Sequence, residues 1–192
     1  MEEKNRLRAR LRAERRDHVA ALAPGTKALI LMRPPAPVAA RMPEGSRVAL
    51  YYATPAEAPT GGYARWLFEN GRQLALPWFA DRDTTMTFRA WTDPFNLADL
   101  EPGPFGALQP FGTAPEVVPD VAVVPVLGFT ESGCRLGQGG GHYDRWLAEH
   151  PETLPIGLAW DMQRLDTLPL EPHDRRLAAI VTPTRFYDTG AV

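Results

Sequence analysis

Residues 121–147, VAVVPVLGFTESGCRLGQGGGHYDRWL, join an apolar run to a glycine-dense turn and then to a helical pattern. Val121, Val123, Val124, Val126 and Leu127 have the β-branched composition of a strand buried on both faces. Gly133, Gly137, Gly139, Gly140 and Gly141 then fall within nine residues, so the backbone there can turn sharply and approach a ligand without Cβ interference. Residues 142–150 suit a helix, and the first N–H groups of such a helix would point unpaired into the loop. Arg135 and Arg145 flank that loop with planar, fixed charges. Together these features make a phosphate cradle, against the plainer alternative of a loop and nothing more.

The general nucleotide motifs do not fit this segment. A Walker loop ends in Gly-Lys-Ser/Thr, and the dinucleotide fingerprint needs a glycine where, counting from Gly137, this chain has His142.

The segment Arg135-Leu-Gly-Gln-Gly-Gly-Gly-His-Tyr-Asp-Arg145 resembles the R-x-G-x-G-x-G-Y-Y-D-R segment of the 5-formyltetrahydrofolate cyclo-ligases, also called 5,10-methenyltetrahydrofolate synthetases. In that family the segment binds ATP phosphates and lies beside the folate. The resemblance implies that Arg135, Leu136, Gly137, Gln138, Gly139, Gly140, Gly141, His142 and Tyr143 contact ATP. Two of these positions depart from the family pattern: His142 replaces the first Tyr of Y-Y-D, and Gln138 stands where Tyr or Arg is frequent.

The chain has 192 residues, 44% of them hydrophobic, enough for one substantial core. We expect one α/β domain over residues 1–192, with a basic helix at about 2–22 packed on it. A net charge of −2 argues against general capture of nucleic acid, so an anionic ligand must meet locally clustered cations. The single cysteine, Cys134, excludes an intrachain disulfide and fits a reducing cytoplasm. It has no obvious base partner, and small loop filler is its expected role. No apolar run is long enough to span a bilayer, and the basic N-terminus is not a secretory signal. A cytoplasmic monomer is expected, with no membrane or nucleic-acid partner.

Within residues 2–22, Leu7, Leu11, His18, Val19 and Leu22 can share a helix face, and Pro24-Gly25 ends the pattern. Lys4, Arg6, Arg8, Arg10, Arg12, Arg15 and Arg16 outnumber Glu2, Glu3 and Glu14; a solvated basic face is the usual meaning of such a run. The family opens with a K-x-x-x-R helix whose Lys and Arg reach ATP, which implies that role for Lys4 and Arg8. At helical spacing i and i+4, both can face one ligand.

Residues 26–47 carry Pro34, Pro35, Pro37 and Pro43 and are expected to form an extended connection. A strand at 48–53, a helix at 63–70, a strand pair at 73–77 and 85–91, and buried strands at 155–160 and 178–182 follow from the apolar pattern. Residues 93–119 are rich in Pro, Gly and Phe without periodicity, suggesting a lid or a covering loop. Family members usually have Glu-Pro in that stretch, where this chain has Gln109-Pro110, and Gln109 receives no role. By register with the family, Tyr52 and Glu57, followed by Thr60, would contact the folate together with Gln138 and His142. Glu57 can accept hydrogen bonds from the amino-pyrimidine edge of a pterin, and an aromatic ring can stack on it; taken alone, each residue is more often surface or core.

The segment Leu168-Pro-Leu-Glu-Pro-His-Asp174 matches the family's L-P-x-E-x-H-D. Its Asp and that of Y-Y-D are magnesium-site residues in the family, which implies Asp174 and Asp144 here. Mg²⁺ takes a few carboxylates together with phosphate oxygens and waters; helix capping is the alternative for each. His18, His142, His150 and His173 have no zinc-like spacing.

The resemblance, from Lys4 to Thr182, implies a three-layer α/β/α fold with a mixed Rossmann-like sheet, similar to sugar-phosphate isomerases and CoA transferases. It also implies that 5-formyltetrahydrofolate and MgATP become 5,10-methenyltetrahydrofolate, ADP and phosphate. ATP would phosphorylate the formyl oxygen and N10 would attack the activated carbon, with Arg135 and Lys4 as the catalytic cations. Two alternatives stand beside it: a nucleotide-responsive RNA-binding or regulatory module, and a sugar-phosphate or CoA-ester enzyme of similar fold.

Overall fold

The chain, described from a computed structural model over residues 2–23, 25–169, 171 and 174–190, begins with helix α1 (Glu2–Ala20). Short helices α2 (Thr26–Leu29) and α3 (Ala36–Ala39) precede strand β1 (Arg47–Ala49), helix α4 (Gly61–Glu69), and strands β2 (Gln73–Trp78) and β3 (Thr87–Trp91). Two hairpins, β4 (Leu100–Pro102) with β5 (Leu108–Pro110) and β7 (Gly128–Phe129) with β8 (Arg135–Leu136), flank strand β6 (Val121–Pro125). Helix α5 (His142–Glu149), strand β9 (Leu154–Leu158), a 3-10 turn at Asp161–Gln163, and strands β10 (Ala179–Val181) and β11 (Phe186–Asp188) complete the chain.

One sheet of seven strands runs in the order β11-β10-β9-β6-β1-β2-β3. Its middle five strands are parallel and both edges antiparallel. The apolar run at 121 is the centre of this sheet, with Val123 opposite Ile156 on β9 and Val48 opposite Val121 on β1. Because side chains alternate along a strand, Val121 and Val123 pack with Tyr63, Ala64 and Leu67 of α4. Ala122 and Val124 pack on the other face with Trp146 and Leu147 of α5. Both sheet faces are therefore covered by helices, and the α/β/α layering holds. Leu67, with 0% exposure, contributes about 1.5–3 kcal/mol through burial alone.

Beyond β6 the chain is pinned by Gln163, which is 1% exposed and donates to the carbonyls of Val126 and Leu127 at 2.7 and 2.8 Å. That anchor aims β7 and β8, and with them Arg135, at the carboxyl ends of the central strands. In open α/β sheets this is where ligands bind.

Three expectations need correction. The proline-rich stretch is not wholly extended: Pro35 caps α3 and Pro37 takes its second position, where a missing N–H costs little. The strand expected over 48–53 leaves the ladder after Ala49, because Tyr51 turns back, donating its hydroxyl to Ala58 O and accepting from Thr60, each at 2.7 Å. Residues 93–119 contain the β4–β5 hairpin, whose three-residue strands are too short to display an alternating pattern. Strand β11 was not anticipated at all. Leu170, Pro172 and His173 of the L-P-x-E-x-H-D match, like Pro24 at the end of the first helix, lie outside the described residues.

Candidate functional site

The glycine loop between β8 and α5 is held from the far end of the sequence. On α1 the positions 4, 8, 11 and 15 recur at helical spacing on one face, and that face is turned towards the protein. Lys4, Leu11 and Arg15 are buried. Leu11 packs with Leu127 and Leu136, which fixes the helix against the base of the loop. The Arg8 Nε then donates to Gly137 O at 3.1 Å, and Arg12 donates to both the side-chain and backbone oxygens of Gln138 at 2.8 Å. The basic face expected to be solvated is thus partly a wall of the site. Of the outward cations, Arg6 and Arg10 meet Glu2 and Glu14 one turn away, at 3.9 and 3.6 Å, and Arg16 is exposed as well.

The loop conformation demands glycine at two places. Gly139 has φ +112°, with the Arg8 guanidinium lying against it. Gly141 has φ +66° and precedes α5, and a Cβ there would come 2.9 Å from Arg145 Nη1. No side chain caps the N-terminus of α5, so its first N–H groups are left for another acceptor.

Arg135 lies at the base of the loop, 4% exposed in its side chain. Its Nη1 donates to Asp144 Oδ1 at 3.0 Å, and its Nη2 lies 2.9 Å from the same oxygen, too poorly aligned to count as a hydrogen bond. Nε and Nη2 of this buried guanidinium lack hydrogen-bond partners among the described residues. Orphaned buried donors are costly, and they mark a place where an anion would fit. Leu136 is buried apolar filling, so only its backbone can face a ligand.

Lys4, 7% exposed, lies 2.9 Å from Asp174 and 3.1 Å from Glu171. Burial pulls its amine down, but the hydrogen bonds and charges of the two carboxylates outweigh this and hold it above its usual value. The segment that carries Asp174 reaches Asp144 through its backbone. Arg175 N, next in chain to Asp174, donates to Asp144 Oδ1 at 3.4 Å. Hydrogen bonds to Asp144 among the described residues all arrive at Oδ1, which leaves Oδ2 for another partner. Two hard carboxylates beside an anion cradle fit Mg²⁺ carried by a nucleotide, which needs few protein ligands. No group of three His, Cys, Asp or Glu side chains among the described residues forms a metal cage.

The expected folate residues are divided. Glu57 receives Thr54 N on Oε2 at 2.8 Å and faces Arg15. Tyr52 is half-buried against the α4-side core, and no hydrogen bond or ring contact among the described residues joins it to Gln138 or His142. His142 turns to an aromatic wall, with ring centroids 5.0 Å from Phe79 and 5.3 Å from Phe105. Its Nδ1 lies 3.2 Å from Arg145 Nη2; since arginine only donates, Nδ1 accepts. Burial, then the Arg145 charge, lowers the His142 pKa below 6.5. Tyr143 packs on Phe88 with its hydroxyl buried and unpartnered. Burial pushes this phenol far above its usual range, Glu57 adding to the shift and Arg135 opposing it.

Gln109, given no role from sequence, is 5% exposed and clamps Phe79 by both amide atoms: Phe79 N donates to Oε1 at 3.2 Å and Nε2 donates to Phe79 O at 3.0 Å. Arg12, Arg15, Glu171, Phe79 and Phe105 were missed too. The spacing of Arg12 and Arg15 from Lys4 and Arg8 was the available signal; Phe79 and Phe105 carried none.

Comparison with known proteins bears on the family and the fold. The sequence pattern of the 5-formyltetrahydrofolate cyclo-ligase family matches residues 1–183. The 5-formyltetrahydrofolate cyclo-ligase of Escherichia coli K12 is 45% identical over 71 residues, which span 36% of this chain and 39% of that relative. The probable 5-formyltetrahydrofolate cyclo-ligase of Caenorhabditis elegans is 29% identical over 160 residues, covering 76% of this chain and 78% of the relative. The solution structure of Aquifex aeolicus 5,10-methenyltetrahydrofolate synthetase superposes with a TM-score of 0.70 over 97% of this chain and 93% of the other. At 23% identity, that last likeness speaks for the fold alone.

Proposed function

Because the chain belongs to the 5-formyltetrahydrofolate cyclo-ligase family, we propose that it converts 5-formyltetrahydrofolate and ATP to 5,10-methenyltetrahydrofolate, ADP and phosphate. The formyl oxygen is a poor leaving group. Phosphorylation by ATP makes it a good one, N10 attacks the formyl carbon, and the oxygen departs as phosphate.

In this proposal the chain positions the reactants and offsets charge. The uncapped start of α5, the N–H groups of Gly139, Gly140 and Gly141, and the orphaned Arg135 donors hold the ATP phosphates. Arg8 shapes the loop and lies beside the same charge. Lys4, kept protonated by Asp174 and Glu171, supplies a further positive charge. Asp144 and Asp174 would hold Mg²⁺, which neutralises phosphate charge when bound. Glu57 receives the amino-pyrimidine edge of the substrate, and His142 stands on the aromatic wall. No side chain is asked to act as a covalent nucleophile.

The observation that carries this proposal is that α1 and the glycine loop, more than 120 residues apart, converge. Lys4 meets Asp174, Arg8 meets Gly137 and Arg12 meets Gln138. A nucleic-acid arm would present its cations outward, whereas the exposed Arg6 and Arg10 here sit beside acids. In solution, the near-ultraviolet absorbance of the methenyl product should rise when the purified chain receives MgATP and 5-formyltetrahydrofolate. No rise at saturating substrates would refute the assignment.

A further inference from the structure

The polar groups around Glu57 are buried with fewer partners than they can use. Arg15, on α1, is 6% exposed, yet its Nε has no hydrogen-bond partner and its Nη1 lies 4.0 Å from Glu57 Oε1. That is ion-pair distance, beyond a hydrogen bond. Glu57 is already fixed through its other oxygen by Thr54 N at 2.8 Å, so Oε1 is the oxygen turned to Arg15. The other groups that sense the Glu57 charge are Lys27, Tyr51 and Tyr143. Lys27 donates its amine to the Pro55 carbonyl, and Tyr51 donates its hydroxyl to Ala58 O. Tyr143 carries an orphaned hydroxyl. Arg15 is therefore the cation in this group with an unused donor.

Burying a guanidinium with an unmade hydrogen bond is costly, and a well-folded core tends to remove such groups or satisfy them. Burial depresses the Arg15 pKa and the Glu57 charge opposes this, as expected of a cation kept ionised by its neighbour. Arg15 also stands eleven residues beyond Lys4 on the same helix face, about 16 Å along the axis. One rigid helix thus reaches from the Lys4–Asp174 pair to the Glu57 pocket.

We propose that Arg15 is a positioning residue of the folate subsite, holding Glu57 Oε1 towards the N–H donors of the substrate's amino-pyrimidine ring, with its own Nε–H completed only when the pocket is filled. This rests on the placement of Glu57 in the substrate pocket given above. Arg15 contributes by orienting Glu57, while phosphate is left to Lys4, Arg8 and Arg135. Loss of Arg15 then weakens the folate side of the reaction and spares the nucleotide side.

The test is the affinity of the full chain for 5-formyltetrahydrofolate without ATP, read by quenching of tryptophan fluorescence, beside the KM for MgATP. Arg15→Met and Glu57→Gln should each weaken folate binding by about tenfold or more, and the double variant should bind about as weakly as the worse single one. The KM for MgATP should stay within about twofold of the unaltered chain's. Arg15→Lys, which keeps the charge but loses the fork, should lose a few-fold, and that loss should vanish in the Glu57→Gln background. Unchanged folate affinity in Arg15→Met, or losses that multiply in the double variant, would overturn the inference. Should Arg15→Met fail to fold, Arg15→Lys decides: a loss that persists without the Glu57 carboxylate means that Arg15 only fills space. If the unaltered chain does not bind the folate at all, the substrate assignment falls, and the role of Arg15 with it.

Discussion

The two walls of the site are held by opposite means. On one side the glycine loop has almost no packing of its own, and α1 cations hold it through its carbonyls, Arg8 at Gly137 and Arg12 at Gln138. On the other side the segment around Phe79 and Phe105 is held by edge-to-face rings and by one buried amide, Gln109. The difference teaches where change should be felt. A polar clamp around an anion site controls turnover and nucleotide binding, whereas an aromatic clamp controls the fit of a flat substrate and the stability of the wall.

Arg135→Ala should break the polar wall most severely, lowering turnover about a hundredfold to a thousandfold while the chain still unfolds cooperatively. Steady-state rates together with thermal melting check both halves of this statement. Turnover close to that of the unaltered chain would remove Arg135 from the ATP site.

Asp144→Asn and Asp174→Asn should come next. Each removes a hard anionic oxygen, so the magnesium concentration for half-maximal rate should rise about tenfold to a hundredfold, with partial rescue at excess magnesium. Magnesium titrations that overlay the unaltered chain would make both residues caps. Each change also weakens the hold on a buried cation, Asp174 on Lys4 and Asp144 on Arg135.

On the aromatic wall, Gln109→Ala should lower stability by about 1–3 kcal/mol, because it leaves both backbone groups of Phe79 without their partner. A few-fold rise in folate KM with an unchanged ATP KM should accompany it. A change in ATP KM alone would show that the two walls are not separable.

His142→Tyr should have the smallest effect. His142 binds its proton less readily in the folded chain than in the unfolded one, because burial and then Arg145 disfavour the cation. Its contribution to stability is therefore intact above about pH 6.5 and is lost as the pH falls from there through the lower folded value. Melting from pH 7 down to pH 5 should cost the unaltered chain a few degrees more than the tyrosine variant. In kcat/KM, the same change should remove only the acidic limb of the pH profile. Identical profiles would make His142 a mere stand-in for tyrosine.

The polar wall was the more legible of the two in the sequence. Residues 135–145 are contiguous, so their glycine spacing, flanking arginines and helix start can be read together, and α5 begins at His142 as expected. The central strand was equally plain from its β-branched run. Which way α1 faces was not. Positions 4, 8, 11 and 15 are as periodic as the apolar set from Leu7 to Leu22, and a sequence does not say that charged residues can be the buried ones. Arg12 and Arg15 were accordingly left to solvent, although Arg15 is buried and Arg12 meets Gln138. The aromatic wall was invisible because Phe79, Phe105 and His142 meet only through the tertiary fold, and the β4–β5 strands that carry Gln109 are too short to show a period.

The central claim is that the α1 cations and the glycine loop form one nucleotide site. Calorimetric titration of MgATP into the full chain and into an Arg8→Ala, Arg12→Ala double variant tests it most directly. We expect affinity to fall about tenfold or more while the melting temperature moves by only a few degrees. Equal affinity in the two proteins would contradict the account and return the basic helix to solvent.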